Sequence, residues 1–469
     1  MERVDDRRRF LTSGVVELGY LFETVRTDVT IVEMRDALLP REDPDVAEAF
    51  TDIAAERHEI HTGHRVTAVE AAFQDVLVRV EPTRGPIPRQ LYYDRVPQVT
   101  MAEPRQARRD RLFEQLDDDV DAAFLAPSES LFYFTGLSMH KSERPALAVV
   151  TPESPPALVV PQLEVDRALD AMPDADCFTY GDATDPVSAA RPAFADLVDD
   201  RGISGPVAAE YRATRLLELD LFADRFGFDD VRDLGPTAAA LRARKDDTEL
   251  ETMRRAAAIT DEILQATFEE ITPGMREVDV ERELRRRVLD SEADEYGVGI
   301  VTSGPRTALA HTNTGVREIE TGDLLMIDMG VVLDGYYSDI TRTVAVGEPG
   351  EEAREIYDVV RTAARRSRET VAEGVAYQEL DRAAREVIED AGYGEYFPHR
   401  VGHGLGLEGH EPPYLVEGND ETVAVGNAFT IEPGVYVPEL GGVRIEDDVV
   451  VTENGAESLT STTRELQVL

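Results

Sequence analysis

The chain has 469 residues, more than one ordinary core accommodates, which points to two or three domains. Its formal net charge is −45, and only Lys141 and Lys245 among its strong bases are lysines, which argues against nucleic acid or an anionic membrane as a partner. No apolar run approaches the ~18 residues of a membrane span, no secretory pattern follows the charged start, and Cys177 is the single cysteine, so a cytoplasmic setting without internal disulfides is expected.

The acidic excess runs the whole length of the chain. Molar salt shortens the Debye length to roughly 3 Å and screens such repulsion. The composition therefore reads as that of a halophilic cytoplasm and describes the solvent, not the substrate.

In chain order, residues 1–105 come first. They contain TDVTIVE, a strand pattern ending on Glu33, and close in a proline- and arginine-containing linker, EPTRGPIPRQ followed by AEPRQARR. His58, His61 and His64 lie close together, but without further ligands they read as loop and strand residues. Residues 106–240 alternate apolar runs with helical patterns. DAAFLAP, SLFYFTGL, PALAVV and PALVVP read as strands, VDRALDAM and LFADRF as helical pieces, and the alternation indicates an α/β layered domain.

Residues 241–469 form the third stretch. Thr248 and Glu251 have capping-box spacing ahead of the helical pattern ETMRRAAAITDEILQATFEEI. A second helix is expected at REVDVERELRRRVL, then strands at GVGIVTSG, DLLMIDMGVV and YSDITRTVAV. Helices follow at EEAREIYDVVRTAARRS and YQELDRAAREVIEDAG, and strands return at AFTIEPGVYV and GVRIEDDVVV. Two helices then strands, twice over, suggest two similar halves facing one another.

The chemistry concentrates in this stretch. His311, His399, His403 and His410 lie here, the last three within RVGHGLGLEGHEPP and its approach, where glycines permit close backbone contact. Asp328 and Asp339 interrupt two apolar strands. Asp334-Gly335 between them is a hairpin signal. With those two residues as the loop, Asp328 pairs with Thr341, and Asp339 becomes its diagonal neighbour, roughly 7–8 Å away at Cα. Two such carboxylates can share ions roughly 3.5–4 Å apart. Glu432 and Glu446 repeat the theme, and strand alternation puts Arg444 and Glu446 on one face. Most acids of so acidic a chain are solvated surface. Asp328, Glu432 and Glu446 are read as sitting in apolar strands, where an isolated carboxylate is costly unless paired or metal-bound.

SGPRTALAHTNTG, IDMGVVLDGYYSDITRT, HRVGHGLGLEGHEPP, TIEPGVYVP and GVRIEDD together resemble the creatinase/prolidase/methionine-aminopeptidase superfamily, and SESLFYFTGL and ERPALAVV resemble the N-terminal domain of its Xaa-Pro peptidase branch. The resemblance implies an α+β pita-bread catalytic domain after an α/β creatinase-type N-terminal domain. It implies two divalent ions, Asp328 on the first, Asp339 and Glu446 bridging, His403 and Glu432 on the second. The oxygen-rich set favours Mn²⁺, with Co²⁺, Fe²⁺ or Zn²⁺ as alternatives. Glu432 is then the proton carrier, His311, His399 and His410 the substrate-side histidines, and Arg444 a support for the bridging carboxylates. The implied reaction is hydrolysis before proline in short peptides with proline at the second position, by a homodimer, as dipeptidase or aminopeptidase. Hydrolysis of a small non-peptide amide on the same fold is the alternative.

VVELGYLFETVRTDVTIVEMRDALLPREDPDVAEAFTDIAAE, continuing through HTGHRVTAVE, is similar to the NAD-binding domain of flavin-dependent disulfide reductases such as dihydrolipoyl dehydrogenase. A nucleotide-binding redox role is the competing reading. The first strand and the G-x-G-x-x-G turn are absent from the pattern, DDRRRFLTSG standing in their place, and there is no redox cysteine pair. The stretch reads as an incomplete Rossmann-like fragment joined to a hydrolase.

Overall fold

The computed structural model describes residues 105–469, apart from 153, 223 and 224, and the backbone of six strands before them. The chain up to Met101 forms a unit by itself. In it β1 (Arg8–Thr12), β2 (Asp28–Glu33) and β3 (Glu59–Thr62) make a parallel sheet, and β4 (His64–Ala72), β5 (Asp75–Pro82) and β6 (Leu91–Asp94) an antiparallel one. The strand expected to be missing is therefore present: Arg8–Thr12 pairs in parallel with β2, Phe10 opposite Thr30. Backbone ladder bonds form whatever the side chains are, so a short charged segment with no strand pattern can fill the place. Glu33 ends β2 as expected. His61 lies on β3 and His64 opens β4, while His58 and the side chains of all three lie outside the described residues.

The second unit, Ala102–Leu469, begins with α1 (Arg105–Gln115), β7 (Ala122–Leu125), α2 (Glu129–Thr135), β8 (Leu147–Val150), β9 (Ala157–Pro161) and α3 (Val165–Ala171). It continues with β10 (Asp176–Tyr180), α4 (Pro186–Arg201), β11 (Val207–Ala209), α5 (Leu216–Phe222), β12 (Val231–Asp233) and α6 (Gly235–Ala243). The strands form one mixed sheet in the order β10-β9-β8-β7-β11-β12. One face packs Phe124, Phe194 and Phe222. The other carries Leu125, Tyr133 and Phe134 against Tyr336, Leu405 and Leu407 from far along the chain, so one core joins this layer to the next.

SLFYFTGL is a helix, not a strand. Ser128 caps it by accepting the Leu131 N–H, and Gly136 ends it in the left-handed region, φ 78°. A short segment buried nearly all round has no periodicity to separate helix from strand. The helical piece LFADRF overlaps α5 only at Leu221 and Phe222.

The rest folds as two similar halves. The first contains α7 (Asp247–Phe268), α8 (Glu277–Leu289), β13 (Glu295–Ser303), β14 (Leu324–Leu333), β15 (Tyr336–Tyr337) and β16 (Ile340–Ala345), with β14 paired to the other three strands. The second contains α9 (Glu351–Thr370), α10 (Tyr377–Asp390), β17 (Gly402–Gly404), β18 (Glu411–Leu415), β19 (Ala428–Ile431), β20 (Gly434–Val437), β21 (Gly441–Arg444), β22 (Asp447–Thr452) and β23 (Gly455–Ser458). Its sheet runs β18-β17-β19-β22-β23, with β20-β21 a separate ribbon. Each half buries its helices on its own sheet, Leu264 and Leu284 with Ile327 in one, Val360 and Leu380 with Phe429 in the other.

The capping box of α7 is Asp246 with Glu249, two residues before the expected pair. Asp246 accepts the N–H groups of Thr248 and Glu249, and Glu249 accepts the N–H of Asp246. Arg108 holds Asp246 at 2.7 Å, a tertiary contact that favours the earlier start.

Candidate metal centre

The Asp334-Gly335 turn has the geometry its residues call for. Both have positive φ, 50° and 84°, as a two-residue hairpin of the primed type requires. The register that follows is the expected one: Asp328 lies opposite Thr341. Asp339 sits just before β16, its N–H donating to Asp448 Oδ2 at 3.0 Å.

The two glutamates differ from expectation in a way that matters. Neither is inside a strand. Glu432 stands at the break between β19 and β20, Glu446 at the break between β21 and β22. Pro433 has no N–H to continue the ladder. The chain crosses there from the large sheet to the ribbon and returns at Ile445-Glu446. The backbone donors are still satisfied, Glu432 N–H by Val401 O at 2.7 Å and Glu446 N–H by Thr341 O at 3.1 Å. Each carboxylate is thereby freed from strand alternation and turned to a cavity between the halves.

That cavity, of about 500 Å³, is lined by all five expected ligands together with His311, His399, His410 and Arg444. Asp328, Asp339 and Glu446 bring oxygens within 4.8 Å of one another, and so do the ligand atoms of His403, Glu432 and Glu446. Asp339, His403 and His410 form a third such group, with the rings of His403 and His410 stacked at 3.7 Å.

The electrostatics fit cations. Burial first, then the charges of Glu446 and Asp328, hold the Asp339 carboxyl well above the ordinary range. Burial and the charges of Glu432 and Asp328 do the same for Glu446. Burial lifts Glu432 to about 7 although Arg444 opposes it. Asp339 Oδ1 is buried with no hydrogen-bond partner among the described residues. Burial pushes His403 down to about 3, so its imidazole is neutral, as a ligand must be. A buried set of mutually repelling oxygens plus one neutral imidazole is the donor set of divalent cations.

Around it, Arg444 donates to Asp328 Oδ2 at 2.5 Å and to Thr341 Oγ1 at 3.0 Å, and Thr341 donates to Glu446 Oε2 at 2.6 Å. Arg444 thus meets Asp328 directly and Glu446 only through Thr341. His399 has no free ring nitrogen: Nδ1 faces the Arg400 carbonyl at 2.8 Å and Nε2 the Tyr436 hydroxyl at 2.9 Å, which also accepts from Arg444 at 3.1 Å. Burial lowers His399 to about 4. His311 and His410 are exposed at the cavity. Sequence reasoning passed over Tyr436, although it lies within TIEPGVYVP, and Arg400, which also lines the cavity.

Residues 251–453 match the family described as metallopeptidase family M24, residues 108–244 the creatinase/prolidase N-terminal domain, and residues 15–83 pyridine nucleotide-disulphide oxidoreductase. The chain is 34% identical over 363 residues to an Xaa-Pro dipeptidase of Pyrococcus furiosus, covering 76% of this chain and 99% of that one. Among solved structures it is similar to an Xaa-Pro dipeptidase from Bacillus anthracis, with a TM-score of 0.72 and 30% identity over 78% of this chain and all of the other. It is also similar to an X-Pro aminopeptidase from Thermotoga maritima, with a TM-score of 0.69 and 29% identity over 78% and 99%.

Proposed function

Because the chain belongs to metallopeptidase family M24, we propose that it is a dinuclear-metal hydrolase that cuts the peptide bond before proline in short peptides. The observation that carries the reading is the convergence of Asp328, Asp339, His403, Glu432 and Glu446 on one cavity, as two ligand trios sharing Glu446. When bound, two divalent cations, Mn²⁺ first on the hardness of the donors, supply Lewis acidity for polarising the scissile carbonyl and activating water. Glu432 takes a proton from the attacking water and returns it to the prolyl nitrogen. His311 and His410 donate to the carbonyl oxygen as it gains charge. His399 and Arg444 act by position, His399 holding Tyr436, Arg444 holding Asp328 and Thr341.

A prolyl amide has no N–H and a fixed φ, so binding as an extended strand through that N–H is unavailable. Side-chain donors in a walled cavity suit it. The same reading divides the chain at about residues 105 and 240, assigns residues 1–105 no catalytic part, and takes the protein as a cytoplasmic homodimer of a high-salt organism. No helix of the described residues is long and apolar enough to cross a membrane.

The test compares Ala-Pro, Ala-Ala and longer Xaa-Pro peptides with Mn²⁺-loaded protein in high salt. Preference for Ala-Pro over Ala-Ala is expected. Equal cleavage refutes the proline assignment and leaves the metal chemistry standing, while no cleavage of either favours a small-amide hydrolase.

A further inference from the structure

One of the chain's two lysines is buried. Lys245 has a side chain 1% exposed, in the link between α6 and α7, and donates from Nζ to Glu411 Oε1 at 2.8 Å. Arg242, near the end of α6, meets the other oxygen, Nη2 to Glu411 Oε2 at 2.8 Å, and also pairs with Glu408. Glu411, itself buried, follows His410 directly.

The backbone leads to the same place. Gly404 of β17 pairs with Glu411 of β18 across a bulge, so GLGLEGHE closes on itself. A Cβ on Gly404 would lie 2.6 Å from the Glu411 carbonyl oxygen, and one on Gly406 2.6 Å from Glu411 Oε1 and 2.9 Å from Lys245 Cε. Gly406 leaves the space that the Lys245–Glu411 pair fills, and Gly404 lets the two strand backbones approach. Almost every other strong base in the chain is arginine. Beside Gly406 this position holds a compact ammonium, which differs in shape from a planar guanidinium fork. Arg242 also donates from Nη1 to Ser130 Oγ at 3.1 Å, and Ser130 and Ser128 both donate to Glu210, at 2.7 and 3.0 Å. The pair is thus tied to the amino-terminal layer.

We propose that Lys245 and Arg242 are positioning residues for His410: by clamping Glu411 from both sides they set the strand start that carries His410 at the cavity. The proposal rests on the reading of His410 as a substrate-side donor. It assigns a functional reason to a lysine that lines no part of the metal cavity, and it makes the amino-terminal layer part of how the site is set.

Lys245→Met keeps most of the stem and removes the charge. With Ala-Pro, kcat is expected to fall by about tenfold while KM changes by less than about threefold, because a displaced donor acts mainly on the transition state. In a His410→Ala background the same substitution should add less than about threefold, since it acts through a group already gone. Losses that multiply in the double variant, or wild-type kcat in Lys245→Met, overturn the proposal. Hydrogen exchange over residues 404–415 needs no turnover and is expected to speed up by about tenfold in Lys245→Met. Unchanged exchange there overturns the clamp. If the wild-type protein fails to cut Ala-Pro, the substrate reading fails and the exchange result still decides the clamp. Should Lys245→Met not fold, Glu411→Gln keeps the shape and carries the same tests.

Discussion

Asp339→Asn separates the metal centre's function from its stability. Asp339 shares one ligand trio with Asp328 and Glu446, their oxygens within 4.8 Å of one another. At an effective dielectric constant of about 20, a like-charge pair at that distance costs about 3.5 kcal/mol. Full ionisation would set Asp339 against two such neighbours. Proton uptake and Arg444 reduce the sum, so a metal-free gain of about 2–4 kcal/mol is expected on replacing Asp339 by its neutral isostere. In chelator at pH 8 the variant should therefore melt above the wild type. With Mn²⁺ at about a hundred times its Kd, the wild type should gain about 2.7 kcal/mol, and the variant much less. Turnover in the variant should fall by about a thousandfold or more. Melting curves with and without metal, at fixed salt, decide the matter. A variant less stable than the wild type in chelator refutes the reasoning, because Asp339 would then be a structural partner and not a repelled ligand.

Three further expectations follow from other parts of the molecule. Asp447 is fully buried among Arg342, Arg368 and Arg464. Burial pushes its carboxyl up, but the three arginines outweigh it and bring the pKa to about 2. A depressed carboxylate stabilises above its unfolded pKa and loses that contribution as pH falls through the folded one, so about 2 kcal/mol should disappear between roughly pH 4 and 2. Asp447→Asn should flatten that acid limb and cost about 3–5 kcal/mol at pH 7 in denaturant titrations, a buried charge set having lost its partner; a cost below about 1 kcal/mol contradicts it. Melting temperature should rise with KCl into the molar range, as screening relieves the self-repulsion of a chain with net charge −45, and a flat or falling trend counts against a halophilic origin. Removing the chain up to Met101, a unit by itself, should leave Ala-Pro hydrolysis intact, and the full chain should show no NAD binding in a fluorescence titration; measurable affinity would reinstate a nucleotide role.

What could be read from the sequence was what short segments decide by themselves. Asp334-Gly335 names its own turn, because few residues adopt positive φ at two successive positions. Once the loop was placed, the opposition of Asp328 and Thr341 was arithmetic. The amphipathic helices of both halves were legible for the same reason, each repeating its apolar face over several turns. The five side chains that the motifs single out, Asp328, Asp339, His403, Glu432 and Glu446, all line one cavity.

What neighbours in space decide could not be read this way. SLFYFTGL is buried nearly all round, so its pattern is the same for helix and strand, and packing chose. The cap of α7 is Asp246, whose local box with Glu249 is reinforced by Arg108 from far along the chain. Glu432 and Glu446 were read inside strands, yet both sit where the chain changes sheets, a break that exists only once two sheets are assembled. His399 lines the cavity, and its ring partners, the Tyr436 hydroxyl and the Arg400 carbonyl, come from tertiary packing and a local turn. Residue types and local turns are set by short-range sterics and hydrogen bonding. Which carboxylates meet, and which nitrogens remain free, depends on segments between positions 328 and 446 converging on one cavity, and only tertiary packing brings them together.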